Sequence, residues 1–168
     1  YRYGSGKRYD GPRLFGARIL EDFGINLNLT TYSGRPYTAS ATPDRFQGAG
    51  TRGDLNGSRK PWNAITNLRV DKYFSLNKDE ASKAVGLTVY LRVQNLLNTK
   101  NVSSVYSYTG SPVDDGWLLS SQGQVAQDNI VASGQNLQSY IDTYNWRVQN
   151  PNLYLLPRRI FVGLEFNF

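Results

Sequence analysis

The side chains that most often perform chemistry are scarce in this sequence. It contains no His and no Cys, which removes thiol nucleophiles, the common transition-metal ligands and the usual acid–base residue near neutral pH. Asp114 and Asp115 are adjacent loop carboxylates without a Lys beside them, but sequence neighbours rarely converge on one substrate atom. We therefore predict no catalytic residues, no metal site, no cofactor and no enzymatic activity.

Two weaker signals concern calcium and nucleic acid. Asp54-Leu-Asn-Gly57 has the start of a calcium loop without the downstream ligands of an EF-hand, so a turn is predicted there. The net charge is +6 and the sequence pI is about 9.6. The basic residues are nevertheless scattered, with no aromatic RNA-binding signature among them, and no nucleic-acid partner is predicted.

The last eleven residues, 158–168, show the kind of secondary structure from which the chain is built. Side chains alternate across a strand with period two, which divides this segment into an apolar face and a more polar face. The apolar face is Ile160, Val162, Leu164, Phe166 and Phe168. The length suits a tilted strand that crosses a bilayer. An edge strand of a soluble β-sandwich would alternate in the same way.

Similar alternation recurs along the chain and predicts an all-β protein of antiparallel strands. The predicted strands lie near 13–20, 23–33, 62–76, 86–98 and 158–168. In the third, Lys72 interrupts the apolar face near its end, where a long side chain can snorkel to an interface. The polar faces of the third and fourth strands include Asn67, Arg69, Asp71, Tyr90 and Arg92.

The connections between these strands alternate in length. Residues 21–22 and 77–85 form short turns, whereas 34–61 and 98–157 form long loops, the second with a short helix predicted within about 135–147. Both long loops then open on one side, as the extracellular loops of a transmembrane β-barrel do. Aromatic residues also gather near strand ends, as interfacial girdles require. This pattern favours a membrane barrel over a sandwich.

About five strands are fewer than the roughly eight that close even a small barrel. The sequence begins with Tyr1 and contains no Met. We therefore expect it to be a fragment or a processed chain, and about the last five strands of a larger barrel.

Three motifs, in this order, resemble the C-terminal end of TonB-dependent outer-membrane receptors, most of all the Oar-like subgroup with a carboxypeptidase-regulatory-like domain. They are Ser33-Gly-Arg-Pro-Tyr-Thr38, then Val93-Gln-Asn-Leu-Leu-Asn98, then Tyr144-Asn-Trp-Arg-Val-Gln-Asn-Pro151 followed by Leu156-Pro-Arg-Arg-Ile160 and Phe166-Asn-Phe168. The resemblance implies a 22-stranded barrel in the cell outer membrane, filled by a plug domain that this chain lacks.

The resemblance also implies partners. These are the lipid bilayer, the rest of the barrel and its plug, the TonB complex through an N-terminal region absent here, and the barrel-assembly machinery; a surface lipoprotein lid is a further candidate. Gly163, Phe166 and Phe168 fit the signal that the assembly machinery reads, although Phe161 stands where that signal has a polar residue.

The function implied is TonB-dependent import of a large or scarce solute such as a glycan, peptide or siderophore. The alternative is a non-transporting outer-membrane barrel with a structural, assembly or adhesion role. Asn67, Arg69, Asp71, Tyr90 and Arg92 would face the lumen or plug. The candidates for ligand contacts in the extracellular loops are Arg35, Tyr37, Trp117, Tyr140 and Trp146.

Overall fold

The alternating segments form a sheet in a computed structural model, which describes residues 1–43, 50–76 and 85–168. The elements, in chain order, are a 3-10 helix at Gly6–Arg8, β1 Phe23–Tyr32, β2 Pro36–Tyr37, β3 Ser58–Arg59, β4 Asn63–Ser75, β5 Gly86–Gln94, α1 Ser121–Ala132, α2 Leu137–Val148, a 3-10 helix at Pro151–Leu153 and β6 Arg159–Asn167. Residues 77–84 of the predicted short turn and residues 44–49 of the first long loop lie outside the described residues.

The larger sheet has four strands in the order β1-β4-β5-β6, and the structure is mostly antiparallel β-sheet. Within the described residues this sheet is open and does not close into a barrel. β4 pairs with β5 from Leu68↔Val93 to Ser75↔Gly86, and β5 pairs with β6 from Gly86↔Asn167 to Gln94↔Arg159. β1, β4, β5 and β6 lie where the alternation predicts them, with ends that differ by at most one residue except at the end of β5.

β5 ends at Gln94 rather than at residue 98 because two asparagines reverse the chain. Asn95 and Asn98 both have positive φ, at 53° and 52°, a conformation that Asn tolerates better than most residues. The amide of Asn98 donates to the Asn95 carbonyl at 2.9 Å. The predicted strand near 86–98 is therefore four residues too long.

The predicted strand near 13–20 is wrong. Its place beside β1 is taken by residues 1–3: the Tyr3 amide donates to the Phe23 carbonyl at 3.0 Å, and the Ile25 amide donates to the Tyr1 carbonyl at 2.8 Å. Residues 13–20 instead form a tight reversal around Phe15, where an isolated bridge joins Leu14 and Ala17. The alternation in this segment is irregular, so no single face could pack on the sheet.

The chain divides into two compact units. We call Tyr1–Thr30, Ala64–Thr99 and Pro157–Phe168 the sheet unit, and Thr31–Asn63 with Lys100–Leu156 the loop unit. The loop unit therefore consists almost entirely of the two long connections, which fold together. The predicted helix is present as α2, while α1 and the short β2–β3 ladder, Pro36↔Arg59 and Tyr37↔Ser58, are additions to the predicted loops.

Both helices begin at a side-chain cap. The Ser120 hydroxyl accepts from the Gly123 amide at 3.1 Å, and the Asn136 side chain accepts from the Ser139 amide at 2.9 Å. Each cap satisfies a backbone donor that has no partner inside its own helix.

Across the described residues, neither helix has the length and apolar character needed to cross a membrane.

Candidate functional site

One face of the sheet is apolar, and it is most exposed on the outer strands β1 and β6. The register aligns its residues across β4, β5 and β6 in four rows: Leu68, Val93 and Ile160; Val70, Leu91 and Val162; Lys72, Val89 and Leu164; Phe74, Leu87 and Phe166. On β6 the apolar side chains are largely exposed, and Val162 reaches 75%. We call this surface, together with Ile25, Leu27 and Leu29 of β1, the apolar face.

The β1 residues Ile25, Leu27 and Leu29 belong to the apolar face because Gly24, their neighbour on β1, lies on the opposite face of the sheet. A Cβ atom built on Gly24 would lie 3.1 Å from a carboxylate oxygen of Asp71, which stands on the polar side of β4. Since neighbouring residues of a strand point to opposite faces, Ile25, Leu27 and Leu29 lie on the apolar side. All three are exposed.

Lys72 is the one charged residue in the four apolar rows, and its ammonium group does not stay there. Its Nζ donates to the Ile19 carbonyl at 3.0 Å and also contacts the Glu21 carbonyl. It lies 5.7 Å from the centre of the Phe74 ring. The charge thus reaches backbone carbonyls of the segment before β1, and snorkelling of Lys72 to a membrane interface stays a prediction.

The opposite face is polar and is organised around Asp71. This carboxylate is only 7% exposed, although Asp is rarely buried unless it is paired. It forms an ion pair with Arg2, and Arg69 Nε lies 3.6 Å away. Arg69 Nη2 is 4.0 Å from Glu165 on β6. The charges of several strands are therefore matched on this surface, which we call the polar face.

Aromatic rings on the polar face lie within cation–π distance of the arginine guanidinium groups. The guanidinium of Arg69 lies 4.9 Å from the centre of the Tyr90 ring, and that of Arg92 lies 4.9 Å from the centre of the Phe161 ring. Arg159 lies 5.7 Å from the same Phe161 ring. An aromatic face attracts a cation, so Phe161 suits a polar surface even though the assembly signal has a polar residue at its position.

The five residues predicted to face a lumen all lie on this polar face. The ion pairs and ring contacts described above place four of them there, namely Arg69, Asp71, Tyr90 and Arg92. Asn67 lies two residues before Arg69 on β4, and its side-chain oxygen accepts from the Asn95 amide at 3.1 Å. The structure thus brings the five predicted residues onto one surface of the sheet.

Gly163, one of the three residues of the predicted assembly signal, lies directly opposite Tyr90. A Cβ atom at residue 163 would collide with the Tyr90 ring. Phe166 and Phe168 extend the apolar face instead, at 63% and 95% exposure. Gly163 therefore has a packing role that is independent of any recognition by another protein.

Within the loop unit the two long connections are tied together by hydrogen bonds. The buried side chain of Asn63 donates to the Val102 carbonyl at 3.0 Å and accepts from the Val102 amide at 2.8 Å, in the manner of a backbone ladder. The ammonium of Lys60 donates to the Ser103 carbonyl at 2.8 Å. Neither tie is visible in the sequence, because the partners are about forty residues apart.

The five loop residues proposed as ligand contacts have different surroundings. Tyr37 packs over Gly110, where an added Cβ would lie 2.5 Å from its hydroxyl, and the Tyr140 ring lies 6.4 Å from the Tyr144 ring, centre to centre, with the ring planes tilted by 37°. Trp117 is half-buried in the turn before α1. Arg35 is exposed, and Trp146 is 78% exposed on α2. Folding the loops accounts for Tyr37 and Tyr140, while Arg35 and Trp146 remain accessible.

The carboxylates considered for chemistry are used in building the loop unit. Asp115 is buried, accepts from the Tyr144 hydroxyl at 2.6 Å and accepts from the Trp117 amide at 3.0 Å. Asp114 accepts from the Gly116 amide at 2.8 Å. The described residues contain no group of three or more acidic side chains placed to hold a metal ion. At Asp54 the structure has the predicted turn, closed by the Gly57 amide at 3.0 Å from the Asp54 carbonyl.

We found no family model, no curated protein and no solved structure that matches the chain, so the resemblance to TonB-dependent receptors remains a hypothesis from the sequence motifs.

Proposed function

We propose that this chain forms part of the wall and mouth of a large antiparallel β-barrel in the cell outer membrane, and that the barrel imports a large or scarce solute in a TonB-dependent manner. The observation that supports the wall is the distribution of polarity in the sheet. On one face the apolar side chains of β1 and β6 are exposed, although Val93 of β5 is buried, while on the other face the Asp71 carboxylate is buried and ion-paired. A water-soluble protein has the reverse arrangement.

A hydrocarbon environment would remove the free-energy cost of exposing these apolar side chains to water. Exposed apolar patches on soluble monomers are rarely larger than a few hundred Å², and here the pattern runs across all four strands. The lipid-facing strands of an outer-membrane barrel alternate in the same way, apolar outside and polar inside. The polar face would then line the barrel interior, where Asn67, Arg69, Asp71, Tyr90 and Arg92 would meet the plug or the solute.

The open edges of the sheet favour a larger barrel. Among residues 1–43, 50–76 and 85–168, the strand order leaves one side of β6 unpaired, and the outer side of β1 meets only residues 1–3. Unpaired backbone groups within hydrocarbon cost several kcal/mol each. In the proposed membrane setting, further strands must therefore pair with both edges.

The transport half of the proposal rests on the sequence motifs shared with TonB-dependent receptors. In that family role the loop unit would sit at the mouth and contact solute, with Arg35 and Trp146 the most accessible of the candidate residues. The plug, the TonB complex and the assembly machinery would be its partners, with a lipoprotein lid as a further candidate.

The wall is tested by labelling single cysteines, because the chain has none of its own. Leu164→Cys and Glu165→Cys are neighbours on β6 that point to opposite faces. With an environment-sensitive fluorophore in lipid vesicles, we expect brominated lipid to quench the label at residue 164 and to leave the label at residue 165 unchanged. Equal quenching at both positions, or none at either, would contradict the wall.

Transport is tested in cells of the source that lack the gene for this protein. We expect uptake of one glycan, peptide or siderophore to fall, and to fall equally when TonB is removed instead. If the protein reaches the outer membrane and no such uptake changes, the structural or adhesion role is the better account.

A further inference from the structure

A second feature suited to a membrane is the turn Leu14-Phe15-Gly16-Ala17. The Leu14 amide donates to the Ala17 carbonyl at 3.1 Å, and the Ala17 amide donates to the Leu14 carbonyl at 2.9 Å. The two residues between them have positive φ, 49° at Phe15 and 80° at Gly16. Positive φ at both central residues is the requirement of a type I′ turn, which favours Asn-Gly or Gly-Gly.

Phe15 is an unfavourable residue for this position. A bulky residue at positive φ is an outlier that the surrounding structure must support. Its side chain is 100% exposed, so it makes no packing contact with the described part of the chain that would offset the strain. Strained residues of this kind cluster at functional sites.

The surroundings of Phe15 combine apolar and basic side chains. Leu14 and Ile19 are 54% and 50% exposed. Between residues 7 and 19 the sequence has four basic residues and one acidic residue, a net charge of +3; these are Lys7, Arg8, Arg13 and Arg18 against Asp10. Lys7, Arg8 and Arg13 are exposed, whereas Arg18 donates to the Gly6 carbonyl at 2.8 Å and lies 3.6 Å from the Glu21 carboxylate.

This segment is fastened to the apolar face of the sheet. Lys72 stands in the apolar rows, and its ammonium group holds the carbonyls of Ile19 and Glu21. The turn is thus anchored where the proposed lipid-facing surface ends. Its position relative to that surface follows from contacts inside the sheet unit alone.

We propose that the Phe15 turn is a membrane-surface anchor, with Phe15 and Leu14 inserted among lipid acyl chains and the neighbouring basic residues paired with anionic headgroups. Aromatic and aliphatic side chains beside Lys and Arg are the composition of interfacial anchors, and juxtamembrane basic residues are attracted to anionic lipid. The positive charge around the tip selects an anionic bilayer over an apolar protein groove. This inference rests on the proposed membrane wall.

The test uses three single-cysteine variants labelled with the same fluorophore: Phe15→Cys, Val162→Cys on the apolar face, and Leu55→Cys, which is 78% exposed in the loop unit. The protein is placed in vesicles of phosphatidylcholine mixed with phosphatidylglycerol, with brominated lipid as quencher. We expect quenching at residues 15 and 162 and none at residue 55. Replacing the mixture by phosphatidylcholine alone should reduce quenching at residue 15 only.

The outcomes separate the two proposals. Quenching at residue 162 but not at residue 15 would overturn the anchor and leave the wall intact, whereas no quenching at residue 162 would overturn both. Equal quenching at residue 15 with and without phosphatidylglycerol would overturn the recognition of anionic lipid.

A second variant separates anchoring from folding. Phe15→Asn creates the Asn-Gly pair that the turn prefers, so we expect the urea midpoint of unfolding, measured in the absence of lipid, to stay the same or rise. With a label on Leu14→Cys in both backgrounds, the same substitution should reduce quenching by brominated lipid. A lower midpoint in Phe15→Asn would assign Phe15 to folding and overturn the anchor.

Discussion

Asp71 is the residue on which the charges of the polar face converge. Replacing it with Asn keeps the shape but removes the negative charge that Arg2 and Arg69 share. Arg2 donates a hydrogen bond to the Asp71 carboxylate, and a hydrogen bond to a charged group contributes about 1.5–3 kcal/mol, so we expect Asp71→Asn to lower the free energy of unfolding by about that amount. Urea unfolding in lipid vesicles measures it.

Glu165→Gln is the matched control for Asp71. The Glu165 side chain is 58% exposed, and its carboxylate lies 4.0 Å from Arg69. Exposed ion pairs contribute about 0–1 kcal/mol, so its loss should be small and should vanish at high salt. A loss in Glu165→Gln as large as that in Asp71→Asn would mean that burial does not govern these pairs.

Gly163 provides a residue-scale test of packing against recognition. In Gly163→Ala the added Cβ meets the Tyr90 ring, and overpacking costs about 1–3 kcal/mol. We expect that loss of stability to shrink when Tyr90→Thr is present in the same chain. Gly50→Ala is the control, since a Cβ there has nothing within 4 Å.

The double variant Gly163→Ala with Tyr90→Thr also tests whether the assembly machinery recognises Gly163. If the assembly machinery reads Gly163 itself, Tyr90→Thr will not restore the amount of Gly163→Ala protein that reaches the outer membrane of cells. If the alanine acts only through the collision, both stability and membrane level should recover together.

Among the elements, α2 is held in the loop unit by a buried hydrogen bond. Tyr144→Phe removes the donor of the 2.6 Å bond to Asp115 and leaves a buried carboxylate less satisfied. We expect a loss of about 1–3 kcal/mol, detected as faster hydrogen exchange in α2. Tyr140→Phe is the control, because the Tyr140 hydroxyl makes no hydrogen bond within the described residues. Equal exchange in both variants would contradict this account.

The strands of the sheet could be predicted from the sequence because their alternation is strong. β4 and β6 agree with their predicted ranges to within one residue at each end. The strand predicted at 13–20 is wrong because strand pairing depends on contacts between distant segments, which the local alternation does not show. Residues 1–3 pair with β1, and no local pattern indicates that they do so.

The loop unit was predicted only where a local periodicity exists. α2 could be recognised because Leu137, Tyr140, Ile141 and Tyr144 recur at helical spacing, and Tyr144 of this stripe is buried. α1 has no such stripe, since Val125 and Val131 are exposed. The structural role of Asp115 could not be predicted either, because its partner Tyr144 lies twenty-nine residues away. The sequence also does not distinguish Asp115 from its neighbour Asp114.

At the scale of the whole molecule, the two faces of the sheet require different surroundings. An apolar side chain gains about 25 cal/mol for each Å² of surface removed from water, and the apolar face leaves much of that gain unrealised in the chain alone. On the polar face, Asp71 and Glu165 are ion-paired with arginines, and this face needs no apolar cover. Hydrocarbon against the first and a polar interior against the second would satisfy both.

This reasoning predicts a dependence on depth when a charge is placed on the apolar face. Val162→Arg puts a guanidinium near the middle of β6, where the proposed bilayer is driest, and an Arg at the midplane costs about 2–4 kcal/mol. Phe168→Arg puts the same group at the strand end, where the cost falls to about 0–1 kcal/mol. Unfolding in lipid vesicles should show the difference. If both variants lose the same stability, or if Val162→Arg is as stable as the parent chain, the apolar face does not meet hydrocarbon.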